Sequence, residues 1–315
     1  MTPILSSNTA WMLLLLFLAC DASWCRAQQT VLLGGKDGLA VVQPNGTVTW
    51  HMDWGGIHDV HVTPDGLILT RQGRSKVVLI DPKKKEVVFT YDAAISPGNA
   101  GRKIEIHAAQ PLDTERIMVA ESGRGRIIEI DRSGKILHEI TLKIDHPNPH
   151  RDTRLVRRLD HGGYLVAHEG DGVVREYDRD GTVQWEYSIP LFGKEPARGH
   201  GPEAFGNAVF SAIRLPNGNT LIGTGNGHSV LEVTPNKEIV WQIHQNDLPG
   251  IQLAWVTTLE QLDNGNVLIG NCHAGPGQPI LIELDRSTNR VVWQLDGHEA
   301  FGNNVSNSVI YPAAS

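Results

Sequence analysis

An all-β fold, a six-bladed β-propeller with four antiparallel strands per blade, is predicted by three observations. The first is an internal repeat. Arg214-Leu-Pro-Asn-Gly-Asn-Thr-Leu-Ile-Gly223 matches Gln261-Leu-Asp-Asn-Gly-Asn-Val-Leu-Ile-Gly270 and Arg158-Leu-Asp-His-Gly-Gly-Tyr-Leu-Val-Ala167. Val62 to Leu69 is a shortened copy and Pro111 to Ala120 a degenerate one. The second is turn chemistry. Asn-Gly and Asp-Gly pairs punctuate short alternating runs, because glycine tolerates the positive φ that tight hairpins need. The third is the fit of the two ends. The C-terminal Asn304–Pro312 holds only a first strand, and Thr30–Asp53 holds only the later three. Together they complete one blade and close the ring, which removes free sheet edges.

The elements follow in order. Residues 1–27 read as a secretory leader, with Leu13 to Ala19 as its apolar run and Cys25-Arg26-Ala27 as the cleavage site. The alternative is a lipid anchor through Cys20. Residues 28–315 then form a single propeller domain, secreted or periplasmic, with no membrane span. Within it Gln43-Pro-Asn-Gly-Thr-Val-Thr-Trp50 aligns without a gap on Thr234 to Trp241. Full units begin near Ile57, Glu105, Asp152, Ala208 and Leu253. Each carries a third strand (Val77–Asp81, Ile127–Asp131, Val173–Asp178, Val230–Thr234, Leu281–Asp285) and a fourth with Phe89, His138, Trp185, Trp241 or Trp293. The unit recurs at roughly 39 to 56 residues, the spacing of four-stranded propeller blades.

Composition agrees. Glycine is abundant at 33 residues, with 17 prolines, so turns are many and elements short. Hydrophobic residues at 40% and charged residues at 20% describe a globular chain. The net charge of −7 argues against a nucleic-acid partner, since phosphate backbones call for a basic excess. Three cysteines do not make a disulfide framework, and after the leader only Cys272 remains.

Propeller geometry separates scaffold from site. Strand a lines the channel and strand d lies outside. The d-to-a and b-to-c connections share one face, where the longer, irregular loops gather; function usually lives on such loops. Three columns vary from blade to blade on that rim. At the start of strand a they are His58, His107, Arg154, Phe210, Thr257 and Ser306. The next positions are Asp59, Ala108, Leu155, Ser211, Thr258 and Asn307. At the b-to-c mouth they are Gly35, Arg71, Glu121, His168, Thr224 and Asn271. Packing asks every blade for the same residue, so a polar, changing column answers another demand. One such demand is a ligand. The bland alternative is a wet channel that tolerates any polar residue.

The ligand-binding candidates are Asp59, Arg71, Glu121, Arg124, Arg154, His168, Thr224, His228, Asn271 and His273. The partner expected at the channel mouth is a small molecule or a protein. Arginines there suit an anionic ligand. His58 and His107 are the catalytic candidates, since an imidazole serves as nucleophile or general acid. No cofactor is implied. His168 with Glu169 and Asp171, or His273 near His228, could offer metal ligands, but no spacing matches a metal motif and no metal is expected. Trp50, Trp185, Trp241 and Trp293 are packing residues, and His138 stands in for a tryptophan. Gly201-Pro-Glu-Ala-Phe-Gly-Asn207 recurs as Gly297-His-Glu-Ala-Phe-Gly-Asn303; Glu203 and Glu299 are either ligand contacts or loop caps.

The stretch from Ser211 to Trp241 resembles the repeat of bacterial arylsulfotransferase-type propellers, as does Ile57-His58-Asp59-Val60-His61. Leu281 to Trp293 is equally similar to pyrroloquinoline-quinone-type propeller repeats. The first resemblance implies an exported six-bladed enzyme whose channel histidine accepts a sulfuryl group, with His58 and His107 in plausible positions. The second implies a quinone-dependent dehydrogenase, but those carry a calcium site and often adjacent cysteines, and this chain has no such pair. Both resemblances rest on blade-building residues, which specify architecture rather than activity. Two readings therefore stand: a propeller that binds a ligand or partner on its variable face, and an arylsulfotransferase-like enzyme acting on an anionic substrate.

Overall fold

The computed structural model describes residues 29–312. The expected leader and Cys20 lie outside them. Six four-stranded antiparallel sheets are arranged as blades. Blade 6 is the seam. Its inner strand is the last of the chain, β24 (Ser308–Ile310), paired with β1 (Val31–Gly35), followed by β2 (Gly38–Val42) and β3 (Val48–Met52). Val31 faces Ile310 and Leu33 faces Ser308 across the closure. Blade 1 is β4 (Val60–Val62) through β7 (Glu86–Asp92), and blade 2 is β8 (Glu105–Pro111) through β11 (Ile136–Thr141). Blade 3 is β12 (Val156–Arg158) through β15 (Val183–Ser188), and blade 4 is β16 (Ser211–Arg214) through β19 (Ile239–Ile243). Blade 5 is β20 (Trp255–Gln261) through β23 (Arg290–Leu295). The expected fold class and ring closure are thus observed.

The core is divided among the six interfaces between blades. One apolar cluster joins Leu32 and Leu39 of blade 6 to Ile68, Val78 and Ile80 of blade 1. Another joins Leu165 and Val174 of blade 3 to Ile222 and Leu231 of blade 4. The middle strands are buried on both faces, as in β18 (Val230–Val233), so they read as continuous apolar runs. The outer strands alternate, as in β19, because one face meets water.

A polar staple accompanies several of these apolar interfaces. Glu129, Glu176 and Glu232 occupy one position on strand c, opposite His138, Trp185 and Trp241. Glu129 accepts from Arg158 (3.0 Å) and Arg179 (3.1 Å) of the next blade. Glu176 pairs with Arg214 and Glu232 with Arg286. Each pair joins adjacent blades, so these carboxylates are scaffold. Among the described residues no helix is long and apolar enough to cross a membrane.

Candidate functional site

A cavity of about 860 Å3 opens at the end of the channel where d-to-a and b-to-c connections meet. Its walls come from every blade-start except one. His58, Arg154, Phe210, Thr257 and Ser306 of the first variable column all line it. His107, the remaining member, does not. Strand β8 bulges between Ile106 and Ala108, so His107 is the extra residue of the ladder. It is buried beside the cavity rather than on its wall.

The second column has another task. Asp59 accepts from Arg157 at 2.9 and 3.1 Å and from Asn307 Nδ2 at 2.7 Å. Asn307 in turn lies 3.2 Å from the Thr258 hydroxyl. Blades 3, 1, 6 and 5 are thereby linked across the channel. The polar character of this column answers cross-channel bonding, not the cavity.

The third column mostly locks its own loops. Glu121 accepts from Arg126 (2.6 Å), Tyr91 (2.7 Å) and Asn99 (2.7 Å). His168 sits between Asp152 O (2.7 Å) and the Tyr177 hydroxyl (2.9 Å). Thr224 bonds Ser229, and Asn271 bonds Ala254 N and Gln252 O. Only Arg71 of this column reaches the cavity. Of the ligand-binding candidates, then, Arg71, Arg154 and His273 line it; Asp59, Glu121, Arg124, His168, Thr224, His228 and Asn271 do not. His228 lies instead in a smaller neighbouring pocket, between the carbonyls of Ala204 and Ala254.

The metal groupings considered from sequence are not assembled. Glu169 is engaged by Arg151 and Arg154, Asp171 by Arg175, and His168 as above. The described residues hold a different acidic and imidazole group, Glu105, His107 and His150. Of the two recurrent loop motifs, Phe301 is buried in the blade 5–6 cluster and Phe205 lines the cavity, while Glu203 folds back on Gly201 N. The Glu299 carbonyl accepts from Lys36.

Several wall residues were invisible to a column reading because they lie in loops without counterparts. His150 and Arg151 come from the connection after blade 2, in His146-Pro-Asn-Pro-His150-Arg151. That loop is tied down: Asn148 O accepts from Arg151 N (2.7 Å) and Asp152 N (2.8 Å), and Asn148 Oδ1 from His150 N (3.0 Å). Pro196 to His200 and Phe205 to Ala208 come from the long connection after blade 3. It folds against Gly225, whose positive φ of 59° and 2.0 Å approach to Ala208 O at the Cβ position admit glycine alone.

The cavity has two chemically different sides. His200 stacks on Trp255 with ring centres 5.6 Å apart, and His273 lies 5.5 Å from His200. These rings and Phe205 are the aromatic part of the lining, while Phe210 lies under the Arg154 guanidinium at 5.9 Å. The other side carries Arg71, Arg151 and Arg154, with exposed Arg198 at the rim; Glu169 is the one carboxylate among the lining residues. Glu169 is shared by Arg151 (2.8 Å) and Arg154. Arg71 touches only main-chain carbonyls among the described residues, Gly56 O at 3.2 Å and Ile106 O at 3.5 Å. Burial draws its guanidinium down to about 10, against the attraction of Glu105 and with smaller repulsion from Arg154 and Arg74, so it remains charged at neutral pH.

Burial, reinforced by His107, Arg71 and Arg154, holds His58 well below the ordinary histidine range, so its imidazole is neutral. Burial likewise brings His107 down to about 3. Burial lowers His273, with His200 adding to it. Burial pushes the Cys272 thiol up to about 12, which leaves no thiolate for nucleophilic attack.

Comparison with solved structures places the architecture among known propellers. A Bacteroides caccae protein of unknown function is similar at TM-score 0.72 and 24% identity, covering 90% of this chain and 98% of that one. A streptogramin B lyase is similar at 0.54 and 12% identity, covering 84% and 82%. A catalytically inactive virginiamycin B lyase from Staphylococcus aureus with quinupristin is similar at 0.54 and 14% identity, covering 85% of each chain. These likenesses show the fold alone. No curated protein matches the chain. The family model described as outer membrane protein assembly factor BamB, a model of pyrroloquinoline-quinone-like repeats, matches residues 36–295. With most of the six-bladed ring inside that match, the chain belongs to this family of PQQ-like β-propellers.

Proposed function

We propose that the protein binds a small organic anion in the channel-mouth cavity. The observation that carries this is Arg71, a half-buried cavity residue that makes no direct ion pair among the described residues: its guanidinium bonds only main-chain carbonyls, and Glu105 attracts it from beyond contact distance. Removing a guanidinium from water costs on the order of several kcal/mol unless a partner compensates. A bound anion is that partner. The chain is acidic overall, yet four arginines and one glutamate line this cavity. Its volume suits a drug-sized molecule, and the aromatic side gives an apolar body somewhere to rest. The proposal includes export, supported by the apolar run Leu13 to Ala19 and the small residues around Ala27.

Calorimetric titration with small carboxylates, sulfate esters and phosphate esters tests it. Binding that weakens with salt and falls at least tenfold in Arg71→Met is expected. Equal binding of neutral analogues, or none of the anions, would refute it.

A second reading is favoured by one observation: neutral His58 lines the same cavity near Arg71 and Arg154. In an arylsulfotransferase-like reaction an imidazole nitrogen would attack sulfur, the bond from sulfur to the aryl oxygen would break, and the arginines would hold the sulfuryl oxygens. Incubation with an aryl sulfate should then release phenol and add a sulfuryl mass that is missing in His58→Asn.

A further inference from the structure

His150 Nδ1 lies 2.7 Å from Glu105 Oε2. The side chain of Glu105 is 5% exposed, that of His150 is 52% exposed, and His150 is on the cavity wall. Lys103 approaches the other carboxylate oxygen at 2.9 Å, and Arg74 lies 3.7 Å away. Bonds to His107, His150 and Lys103 keep the Glu105 carboxyl far below the usual range, so it is ionised. An ionised carboxylate only accepts, so His150 Nδ1 carries the hydrogen, and in the neutral tautomer Nε2 has the lone pair. This is the arrangement that fixes an imidazole as a proton acceptor.

The neighbouring His107 does not compete for this role, and it argues against a metal ion. Arg154 Nη1 lies 3.1 Å from His107 Nδ1. A guanidinium only donates, so Nδ1 accepts and the hydrogen of the neutral ring is on Nε2. Nε2 faces Glu105 Oε2 at 3.5 Å. A cation among Glu105, His107 and His150 would need that same nitrogen bare. It would also sit among Arg154, Arg74 and Lys103.

We infer that His150, oriented by Glu105, accepts a proton from an acidic hydroxyl of a ligand whose anionic group rests on Arg71 and Arg154. The ligand class is a hydroxylated aromatic acid. In the step the ligand O–H bond breaks and an Nε2–H bond forms. The products are an aryl oxide and an imidazolium, the latter held by the Glu105 carboxylate. The inference rests on the anion-binding reading above, and the test separates the two.

The probe is a hydroxy-nitrobenzoate, whose carboxylate addresses the arginines and whose phenol turns yellow on ionisation. It is titrated with folded wild type, His150→Gln, Glu105→Gln and Arg71→Met at a pH one unit below the phenol's own pKa, and colour is read at saturation. In wild type the ionised fraction of bound probe should rise. In His150→Gln the ratio of ionised to neutral bound probe should drop roughly tenfold, with a similar drop in Glu105→Gln. Half-exposed His150 tolerates the change, and unchanged melting temperature confirms it. Probe that binds but ionises equally in wild type and His150→Gln overturns this inference and leaves anion binding intact. Probe that does not bind overturns both. A cobalt(II) visible spectrum that vanishes in His107→Ala would also overturn it, by making the group a metal centre.

Discussion

Nε2 of His138 lies 2.8 Å from the main-chain carbonyl oxygen of Arg179 in the next blade. Indole N–H groups make the same bond elsewhere. Trp50 donates to Pro82 O at 2.8 Å, Trp185 to Pro235 O at 3.0 Å, and Trp293 to Pro44 O at 2.8 Å. Trp241 uses the Asn289 side chain at 2.9 Å. Each bond ties an outer strand to the c-to-d turn of its neighbour. Arg214 and Arg286 also lie over Trp185 and Trp241. The column therefore latches five of the six blade interfaces; blade 2 builds its latch from imidazole, and Phe89 of blade 1 has none.

His138→Phe should lower unfolding free energy by about 1 kcal/mol, the net worth of one hydrogen bond. His138→Trp should retain the wild-type value, because the column already accommodates indole. Urea unfolding of the three proteins checks both; an unchanged midpoint in His138→Phe would show the latch to be idle.

Arg154 and Arg71 of the cavity wall should separate stability from binding. Arg154→Met strips one of two cations from buried Glu169 and the donor from His107. It should cost about 3 kcal/mol, as breaking a buried pair does. Arg71→Met breaks no ion pair and should change stability by less than about 1 kcal/mol. Both should weaken anion binding at least tenfold. Denaturant titration and calorimetry on the same preparations decide it.

Acid should destabilise the protein through His168. Burial holds it at about 4, against 6.5 for a free histidine. Between those values the unfolded chain takes up a proton that the native chain refuses. The stabilisation is complete above about 6.5 and is lost as pH falls towards about 4, at about 1.4 kcal/mol per pH unit. His168→Gln should flatten that part of the stability profile by close to one proton. A profile parallel to wild type would place the titration elsewhere.

Cys272 should resist alkylation in the native protein at pH 8, because burial keeps its thiol protonated. It should label stoichiometrically in guanidinium. Rapid native labelling, read by intact mass, would mean the strand carrying it opens locally.

Architecture was legible because the repeat states the same packing problem six times. Leu221-Ile222, Leu268-Ile269 and Leu165-Val166 each bury a middle strand between two neighbours, and each sequence shows it. The Asn-Gly turns fix hairpin register, and the incomplete ends announce their own closure. The strand-d aromatics and His138 were legible for the same reason, as one column in which five members bond the next blade and Phe89 of blade 1 only packs.

The site was legible in part. The first variable column led to His58 and Arg154, and the third to Arg71. Asp59, Glu121, His168, Thr224 and Asn271, from the second and third columns, lie off the cavity wall. There polar variation serves cross-channel and loop-locking bonds, which a sequence column cannot tell from ligand contacts. His107 left the wall because one bulge shifted its strand. Glu105 and His150 meet only through the ring, from a strand and a loop 45 residues apart. The sequence by itself determined the blades, their number and their order, since local hydrogen bonding and burial repeat in each. Which side chains converge on the cavity, which charges lack a direct ion pair and which imidazole nitrogen holds its proton were decided only by tertiary structure, because those properties depend on distances between blades that no repeat encodes.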